Sequence, residues 1–291
     1  MNYAVVDTGS NTIRLSVYAY ENGVLQELFT EAVFANLARH IENGVLTEEG
    51  IASCCDALIK HQETAKKYDA EFHAFATAAI RNAENTEDIV KKVKDSTNIT
   101  LEILSGADEG ELSFLGAKDD FGVTEGIMAD IGGGSSEIVA FKDGKPYAVC
   151  SIPLGSNAAH KKFVDADIPT PEEVKNIKNE IIAHLNKSEI IKDIKSENIC
   201  LVGGGVFAAL KLSQVFFGSN LTVENINLML SLFLSSPDIM TILEKVVPKR
   251  KLTVTPGLAI YSAVCEYFGG KNIYLSGKGI KEGYVLKCLI H

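Results

Sequence analysis

The stretch Asp130-Ile131-Gly132-Gly133-Gly134-Ser135-Ser136-Glu137 decides the fold of this chain. Apolar runs precede it at 126–129 and follow it at 138–141, so the pattern predicts two strands joined by a tight glycine turn. Three consecutive glycines let backbone N–H groups approach an anion closely, because no side chain intervenes. A plain glycine-rich hairpin fits the same residues, and this stretch alone does not decide between the two.

Carboxylates stand on both sides of the glycine turn. Asp130 precedes it, Glu137 follows it, and Ser135 adds a hydroxyl donor. Carboxylates beside a phosphate would repel it unless a cation lies between them, and Mg²⁺ is the usual cation. The stretch therefore points to a phosphate cradle with a metal ion held beside it.

A second copy of this pattern lies near the N-terminus. The stretch Asp7-Thr8-Gly9-Ser10-Asn11-Thr12-Ile13-Arg14-Leu15-Ser16-Val17-Tyr18 aligns with residues 130–141 without a gap. In this alignment Asp7, Gly9 and Thr12 fall on Asp130, Gly132 and Ser135. We interpret the two copies as a duplication of one phosphate-binding hairpin. Two such hairpins facing each other would hold a phosphoryl chain in a cleft between two domains.

The length of 291 residues predicts two domains. Hydrophobic content of 46% and charged content of 23% are ordinary for a globular protein, and no apolar run reaches the roughly 18 residues that cross a bilayer. We place the domain boundary after residue 121, which gives α/β domains at 1–121 and 122–291. The last helix could return to the first domain.

Net charge and cysteine usage restrict the class of protein. The formal net charge of −10 argues against nucleic-acid or anionic-membrane binding, although a local field can still attract an anionic substrate. The N-terminus shows no signal peptide, and the six cysteines show no Cys-x-x-Cys spacing. We expect a cytoplasmic protein with reduced thiols.

Strands and helices alternate in both halves of the chain. Threonines at 47, 86, 170 and 222 and a serine at 105 are predicted helix caps. Further helices are predicted after the glycines at 203–205, from residue 258 and from residue 281. The predicted strands are 3–6, 13–20, 24–34, 72–76 and 99–104, then 127–131, 136–141, 146–152, 200–202 and 273–276.

Two residues of the first half stand where predicted strands end. Arg81 follows a Thr-Ala-Ala turn, where its guanidinium can fork onto phosphate oxygens, but a surface salt bridge explains it equally well. Glu109 lies in the first turn of a helix, at the sheet edge where ligands bind in α/β proteins. A carboxylate favoured only by the helix dipole would also stand there. The run Lys249-Arg250-Lys251 is typical of a solvated basic surface, although it could draw polyanions towards a cleft.

Six stretches, taken in order, resemble the successive motifs of the exopolyphosphatase/guanosine pentaphosphate phosphohydrolase (Ppx/GppA) family. They are Asp7-Thr8-Gly9-Ser10-Asn11-Thr12-Ile13-Arg14-Leu15, Ala76-Thr77-Ala78-Ala79-Ile80-Arg81-Asn82-Ala83-Glu84-Asn85, Ser105-Gly106-Ala107-Asp108-Glu109-Gly110, residues 130–137, Gly203-Gly204-Gly205 and Gly279-Ile280-Lys281-Glu282-Gly283. The resemblance runs from residue 3 to about residue 286. It implies two duplicated actin/Hsp70-like (ribonuclease H-like, ASKHA) α/β domains around a central cleft.

The resemblance also implies a Mg²⁺-dependent phosphoanhydride hydrolase, with Mn²⁺ as a substitute. Its substrate would be inorganic polyphosphate, from which terminal orthophosphate is released, or guanosine pentaphosphate, which would lose its 5′-γ-phosphate. Glu109 matches the family's catalytic glutamate and would deprotonate the attacking water, while Arg81 would neutralise phosphate oxygens. Asp130 and Glu137 would hold the metal ion. The expected phosphate-binding residues are Gly9, Ser10, Asn11, Arg14, Gly132, Gly133, Gly134, Ser135 and Gly204.

Departures from the family pattern bear on substrate preference more than on chemistry. Lys281 stands where arginine is usual, and Gly110 and Glu111 stand where alanine and arginine are common. Larger family members carry a further C-terminal helical domain that these residues lack. We therefore expect short polyphosphates or a nucleotide to be used at least as well as long chains. The alternatives are a non-catalytic nucleotide- or alarmone-binding regulator and a small-molecule kinase of the same fold, and a homodimer is also compatible with the sequence.

Overall fold

The chain divides into two units, each with its own sheet and core. The computed structural model describes residues 1–290, and His291, the last residue of the second predicted domain, lies outside them. Unit 1 comprises Met1–Leu112 together with the segment that starts at Lys281, and unit 2 comprises Ser113–Ile280. No helix within residues 1–290 has both the length and the apolar composition of a membrane span.

Unit 1 is built on a five-stranded sheet of order β3-β2-β1-β6-β7. Its first three strands form an antiparallel meander, and Asn22 and Gly23 make the β2–β3 turn with positive φ angles of 53° and 79°. β6 and β7 add in parallel, while β4 and β5 pair separately. The elements are β1 (Asn2–Thr8), β2 (Ile13–Glu21), β3 (Val24–Val33), β4 (Ile41–Glu42), β5 (Val45–Leu46), α1 (Glu48–Lys66), β6 (Ala70–Ala76), α2 (Ala78–Arg81), α3 (Thr86–Thr97), β7 (Leu101–Ile103) and α4 (Gly106–Phe121).

Unit 2 repeats this plan with the strand order β10-β9-β8-β11-β12. Again three antiparallel strands are followed by two parallel ones. The elements are β8 (Gly126–Ile131), β9 (Ser136–Lys142), β10 (Lys145–Ile152), α5 (Ser156–Phe163), α6 (Pro171–Lys187), β11 (Asn198–Val202), α7 (Gly204–Phe217), α8 (Val223–Ser235), α9 (Ile239–Val246), α10 (Val254–Phe268) and β12 (Asn272–Ser276).

The two sheets match strand for strand, which confirms the predicted duplicated α/β fold. The β1–β2 hairpin and the β8–β9 hairpin occupy the same place in their sheets. We call them hairpin 1 (residues 2–21) and hairpin 2 (residues 126–142). The sequence placed the domain boundary after residue 121, which is the last residue of α4, the helix in which the division between the units falls.

Burial follows from the alternation of side chains along the strands. In unit 2, Ile127 and Ile138 share a core with the buried residues of α6 and α10, whereas Met128 and Val139 share one with Phe114 of α4. Helix α10 is mostly apolar and almost wholly buried, as expected for a central helix. In unit 1 the strands β1 and β2 pack against α1 and α3.

Most predicted caps are confirmed, and two helix starts are corrected. The side chains of Thr47, Thr170 and Thr222 each accept a hydrogen bond from the first turn of their helices. Thr86 is not a cap, because its hydroxyl donates to the carbonyls of Ile80 and Ala83 and the cap position passes to the preceding asparagine.

Helix α10 begins at Val254 rather than at residue 258, since proline is tolerated in a first helical turn. Helix α5 and helix α9 were not predicted. The predicted C-terminal helix is α11 (Ile280–Tyr284), which continues as a π-helical segment, Val285–Leu289.

Candidate active site

The turn of hairpin 2 presents unpaired amide groups. The Gly132 N–H donates to the Ser135 carbonyl over 3.0 Å, which closes the turn. Within residues 1–290, the N–H groups of Gly133 and Gly134 donate to no other group. Two adjacent free amides in a glycine turn form the kind of concavity that binds anions. This geometry favours the phosphate cradle over a plain hairpin.

Helix α5 holds this turn from behind. The N–H groups of Ser156 and Asn157 donate to the carbonyls of Gly132 and Gly133 over 2.9 and 3.0 Å. A Cβ on Gly155 would lie 2.5 Å from the Gly132 carbonyl oxygen, so only glycine allows this approach. Because the carbonyls are taken up by α5, the turn keeps its amide groups available for a ligand.

Hairpin 1 has the same construction. The Gly9 N–H donates to the Thr12 carbonyl over 3.1 Å, and the N–H groups of Ser10 and Asn11 have no partner within residues 1–290. The carbonyls of Ser10 and Asn11 accept hydrogen bonds from the backbone at Ala38 and Asn36, each over 2.9 Å. A short 3₁₀ helix, Leu37–His40, thus supports the turn of hairpin 1 as α5 supports the turn of hairpin 2.

Two carboxylates share one face of hairpin 2. Asp130 and Glu137 are directly opposite each other in the β8–β9 register, and opposed side chains of an antiparallel pair are neighbours. The Ser113 hydroxyl donates to Asp130 Oδ2 over 2.7 Å, and the Ser151 hydroxyl donates to Glu137 Oε1 over 2.8 Å. Sequence reasoning missed both serines, because each lies at least 14 positions from its carboxylate.

The donor set fits a hard divalent cation. Within residues 1–290 no group of three or more His, Cys, Asp or Glu side chains could hold a metal ion by itself. Mg²⁺ commonly uses one or two carboxylates and completes its shell with water and substrate phosphate. Asp130 and Glu137 meet that requirement, and Mn²⁺ takes the same oxygen ligands.

The glycines that open α7 make room for two charged side chains. Gly203 has a φ of +99°, and a Cβ there would lie 2.9 Å from Asp130 Oδ1. A Cβ on Gly204 would lie 2.5 Å from Arg250 Nη2. The Asp130 carboxylate and the Arg250 guanidinium therefore both lie against this glycine run.

Arg250 is a site candidate that the sequence did not single out. It ends a short 3₁₀ helix, Pro248–Arg250, and belongs to the basic run described above. Its neighbour Lys251 forms a surface ion pair with Glu244 over 2.7 Å. The run itself was the only available signal, since the approach of Arg250 to Gly204 depends on the tertiary fold.

Arg81 and Glu109 form a largely buried ion pair in unit 1. Arg81 Nη1 donates to Glu109 Oε2 over 2.7 Å and to the Leu104 carbonyl over 3.1 Å. Their side chains are only 16% and 13% exposed, so Arg81 does not form the surface salt bridge that the sequence left open. α2 and α4 follow the neighbouring parallel strands β6 and β7, which brings the two side chains to one sheet edge.

The N-terminus of α4 fixes the position of Glu109. The Ser105 hydroxyl accepts from the Asp108 N–H over 3.1 Å and donates to the Asp108 carboxylate, which confirms the predicted capping pattern. Glu109 is therefore held by the cap on its helix and by the guanidinium of Arg81. A carboxylate fixed in this way can orient and deprotonate a water molecule.

Two further candidates, Arg14 and Lys281, belong to neither of these pairs. Arg14 is half-buried on β2 and makes no ion pair within residues 1–290; it stands opposite Asp7 in the strand register. Lys281, at the start of α11, also lacks an ion-pair partner among these residues. Its neighbour Glu282 is buried and accepts a 2.5 Å hydrogen bond from Tyr18, and burial with this carboxylate raises the pKa of Tyr18.

One carboxylate of unit 2, that of Asp120, forms an ion pair with a lysine of the same unit. Asp120 accepts hydrogen bonds of 2.7 Å from Lys278 Nζ and from the Ser276 hydroxyl. Burial raises the pKa of Asp120, but these two hydrogen bonds outweigh burial and leave the pKa below its ordinary value. Asp120 is therefore a structural carboxylate.

Comparison with known proteins identifies the family of this chain. Residues 16–290 match the model of the Ppx/GppA phosphatase family. Exopolyphosphatase 1 of Mycobacterium tuberculosis is 29% identical over 216 residues, which cover 72% of this chain and 63% of that protein. The guanosine-5′-triphosphate,3′-diphosphate pyrophosphatase of Vibrio cholerae is 24% identical over 301 residues, covering 99% of this chain and 59% of that protein. This chain thus spans about three fifths of the length of these relatives.

Solved structures agree with the fold. The crystal structure of the Aquifex aeolicus member of the Ppx/GppA family is 26% identical in sequence and matches with a TM-score of 0.83. The match covers 100% of this chain and 99% of that one. The match and the two corresponding sheets confirm the duplicated α/β fold that the sequence predicted.

Proposed function

Since the chain belongs to the Ppx/GppA phosphatase family, we propose that it hydrolyses terminal phosphoanhydride bonds with release of orthophosphate. The proposed substrates are inorganic polyphosphate and the 5′-triphosphate end of guanosine pentaphosphate. The observation that carries the proposal is the buried pair of Arg81 and Glu109 at the capped N-terminus of α4. It supplies a positioned base beside a cation that can contact phosphate oxygens.

Glu109 acts as the general base in this proposal. Its carboxylate takes a proton from a water molecule that attacks the terminal phosphorus in line with the bridging oxygen. The bond between that oxygen and phosphorus breaks, and orthophosphate leaves without a covalent enzyme intermediate. Arg81 holds Glu109 in one orientation and offsets charge on the equatorial phosphate oxygens.

The glycine turns bind the phosphates. In unit 2 the free amides of Gly133 and Gly134 donate to phosphate oxygens, and Arg250 adds a planar cation beside Gly204. In unit 1 the amides of Ser10 and Asn11 do the same, together with Arg14, Gly9 supplying the turn. The buried Ser135 closes the second turn through its carbonyl.

A Mg²⁺ ion is proposed beside hairpin 2. Asp130 and Glu137 would hold it, directly or through water, with Ser113 and Ser151 fixing the two carboxylates. When bound, the ion offsets the negative charge that phosphate and carboxylates bring together. Sequence-distant serines at both carboxylates support a pre-formed site, because outer hydrogen bonds orient metal ligands.

The two substrate classes share their reactive end. Each ends in a phosphoanhydride, and the named relatives include an exopolyphosphatase and a guanosine-5′-triphosphate,3′-diphosphate pyrophosphatase. Polyphosphate requires only phosphate contacts, whereas guanosine pentaphosphate also presents a base and a 3′-diphosphate. Assaying both substrates side by side decides between them.

The test is release of orthophosphate from each substrate with and without Mg²⁺. We expect Glu109→Gln to keep folding and binding while kcat falls by about 10²- to 10⁴-fold, the usual range for a lost general base. Asp119→Asn is the matched control, since Asp119 is an exposed carboxylate on the same helix and pairs with Lys118 over 2.9 Å. Its activity should match that of the wild type.

Two results would contradict the proposal. An unchanged kcat in Glu109→Gln would remove the base from the mechanism. A wild-type protein that binds either substrate but releases no orthophosphate would be a regulator instead, and transfer of phosphate to a small acceptor would identify a kinase.

A further inference from the structure

Tyr261 is a buried polar residue that the proposed mechanism does not use. It lies on α10, is only 1% exposed, and its hydroxyl has no hydrogen-bond partner within residues 1–290. A buried hydroxyl without a partner is costly, and such groups usually bond to ordered water. The position of this hydroxyl therefore needs an explanation.

A small cavity adjoins the Tyr261 side chain. Its volume is about 10 Å³, which is about the minimum needed for one water molecule. Its lining combines apolar residues with a phenol, a guanidinium and two aliphatic hydroxyls. The polar side chains of the lining belong to Ser156, Arg250, Thr253 and Tyr261.

Gly205 brings the phenol and the guanidinium to the same place. A Cβ on Gly205 would lie 2.8 Å from Tyr261 Oη and 3.9 Å from Arg250 Nη1. Burial raises the pKa of the Tyr261 phenol, although the charge of Arg250 opposes this effect. The phenol is thus a permanent hydrogen-bond donor beside the cation that we assign to phosphate binding.

The cavity also adjoins the phosphate cradle. Ser156, which lines it, donates its hydroxyl proton to the Gly132 carbonyl over 3.2 Å and can accept a further hydrogen bond. A water molecule in the cavity would accept from Tyr261 and Arg250 and donate to Ser156. That gives it three polar partners, the usual number for a buried water.

We propose that Tyr261, through a water molecule in this cavity, positions the Arg250 guanidinium against the glycine turn of hairpin 2. Tyr261 is then a positioning residue for phosphate binding and has no part in the chemical step. The inference rests on the proposed function in one respect, namely that Arg250 contacts substrate phosphate. It predicts that loss of the phenol hydroxyl weakens phosphate binding only while Arg250 is present.

The first test is a crystal structure of the wild-type protein at a resolution that shows ordered water. We expect a water molecule about 2.6–3.2 Å from Tyr261 Oη and also bonded to Arg250. Tyr261→Phe keeps the ring and its packing, and in that variant the water should be lost or displaced. A wild-type map without this water would overturn the proposal.

The second test is calorimetric binding of inorganic orthophosphate. Tyr261→Phe should weaken binding by about 3- to 10-fold, the effect of one hydrogen bond, with kcat changed by less than about twofold. Tyr267→Phe is the matched control on α10, since its hydroxyl donates to Asn186 over 3.0 Å and to the Lys192 carbonyl over 2.9 Å. That control should bind orthophosphate like the wild type.

A double-mutant cycle separates positioning from general packing. In an Arg250→Ala background, Tyr261→Phe should cause no further loss of orthophosphate binding. A loss that persists without Arg250 would overturn the proposal, and so would equal binding by wild type and Tyr261→Phe. Failure of the wild type to hydrolyse polyphosphate or guanosine pentaphosphate would refute the proposed function instead, because the water and the orthophosphate affinity are measured without turnover.

Discussion

The turns of hairpin 1 and hairpin 2 have the same backbone hydrogen bond, but the two hairpins differ in charge at one position. Each turn is closed by a glycine N–H donating to a carbonyl three residues later, over 3.1 Å in the first and 3.0 Å in the second. In the strand register, however, Arg14 stands opposite Asp7, whereas Glu137 stands opposite Asp130. Hairpin 1 therefore carries two opposite charges at this place, and hairpin 2 carries two carboxylates.

From this difference we propose that the two hairpins bind phosphate in different ways. The backbone supplies an amide cradle twice, because the turn and its supporting helix are repeated. Hairpin 1 can hold a phosphate directly through its amides and Arg14. Hairpin 2 repels a phosphate unless a cation lies beside Asp130 and Glu137. In this proposal the same fold gives one direct anion site and one site that depends on a metal ion.

The largest expected effect comes from removing a carboxylate from hairpin 2. We expect Asp130→Asn to raise the Mg²⁺ concentration needed for half-maximal activity by more than about 100-fold, because loss of a ligand should exceed the 10- to 100-fold cost of an outer partner. Phosphate release measured across a Mg²⁺ titration checks this. An unchanged Mg²⁺ requirement would remove the difference between the two hairpins.

A smaller effect is expected from the corresponding cation of hairpin 1. Arg14→Gln should raise KM by about 10- to 100-fold, the effect of losing a hydrogen bond to a charged group, while the Mg²⁺ requirement stays at the wild-type value. Steady-state kinetics at several fixed Mg²⁺ concentrations separate the two parameters. A shift in Mg²⁺ requirement with constant KM would reverse our assignment of the hairpins.

The smallest effect is expected at Asp120, whose carboxylate pairs with Lys278. Because the pKa of Asp120 is lowered on folding, its contribution to stability is complete above its unfolded pKa of about 3.9 and is lost as the pH falls through the folded value. Asp120→Asn should lower Tm by about 1–4 °C at pH 7, as expected for a partly exposed ion pair.

Thermal melts between pH 7 and pH 2 check this prediction. The difference in Tm between Asp120→Asn and the wild type should close at the acid end, and the Mg²⁺ requirement should not change. A Tm difference that is constant with pH would show that the carboxylate charge is not the source of the stability.

The hairpins could be predicted from sequence because their determinants are local. The pattern of residues 126–142 directly predicts two strands joined by a glycine turn, and the repeat at 2–21 supports this prediction. The caps at Thr47, Thr170 and Thr222 are local in the same sense. Arg81 and Glu109 were each identified, but only the parallel pairing of β6 with β7 shows that they form an ion pair.

The supporting residues could not be found from sequence, because tertiary packing decides their roles. Ser113 and Ser151 resemble many other serines until the fold places them beside Asp130 and Glu137. The contact of Arg250 with Gly204 joins residues 46 positions apart. Helix α5 was missed because its short sequence has no side-chain cap, although it holds the cradle.

The C-terminal helix has a consequence for the order in which the protein folds. Tyr18 of unit 1 finds its buried partner Glu282 in α11, and a Cβ on Gly283 would lie 1.8 Å from the Leu112 carbonyl oxygen. Unit 2, in contrast, is one continuous stretch, Ser113–Ile280. During synthesis from the N-terminus, unit 2 can complete its core before the ribosome releases the residues that unit 1 still lacks. The first unit to be translated is therefore the last to be finished.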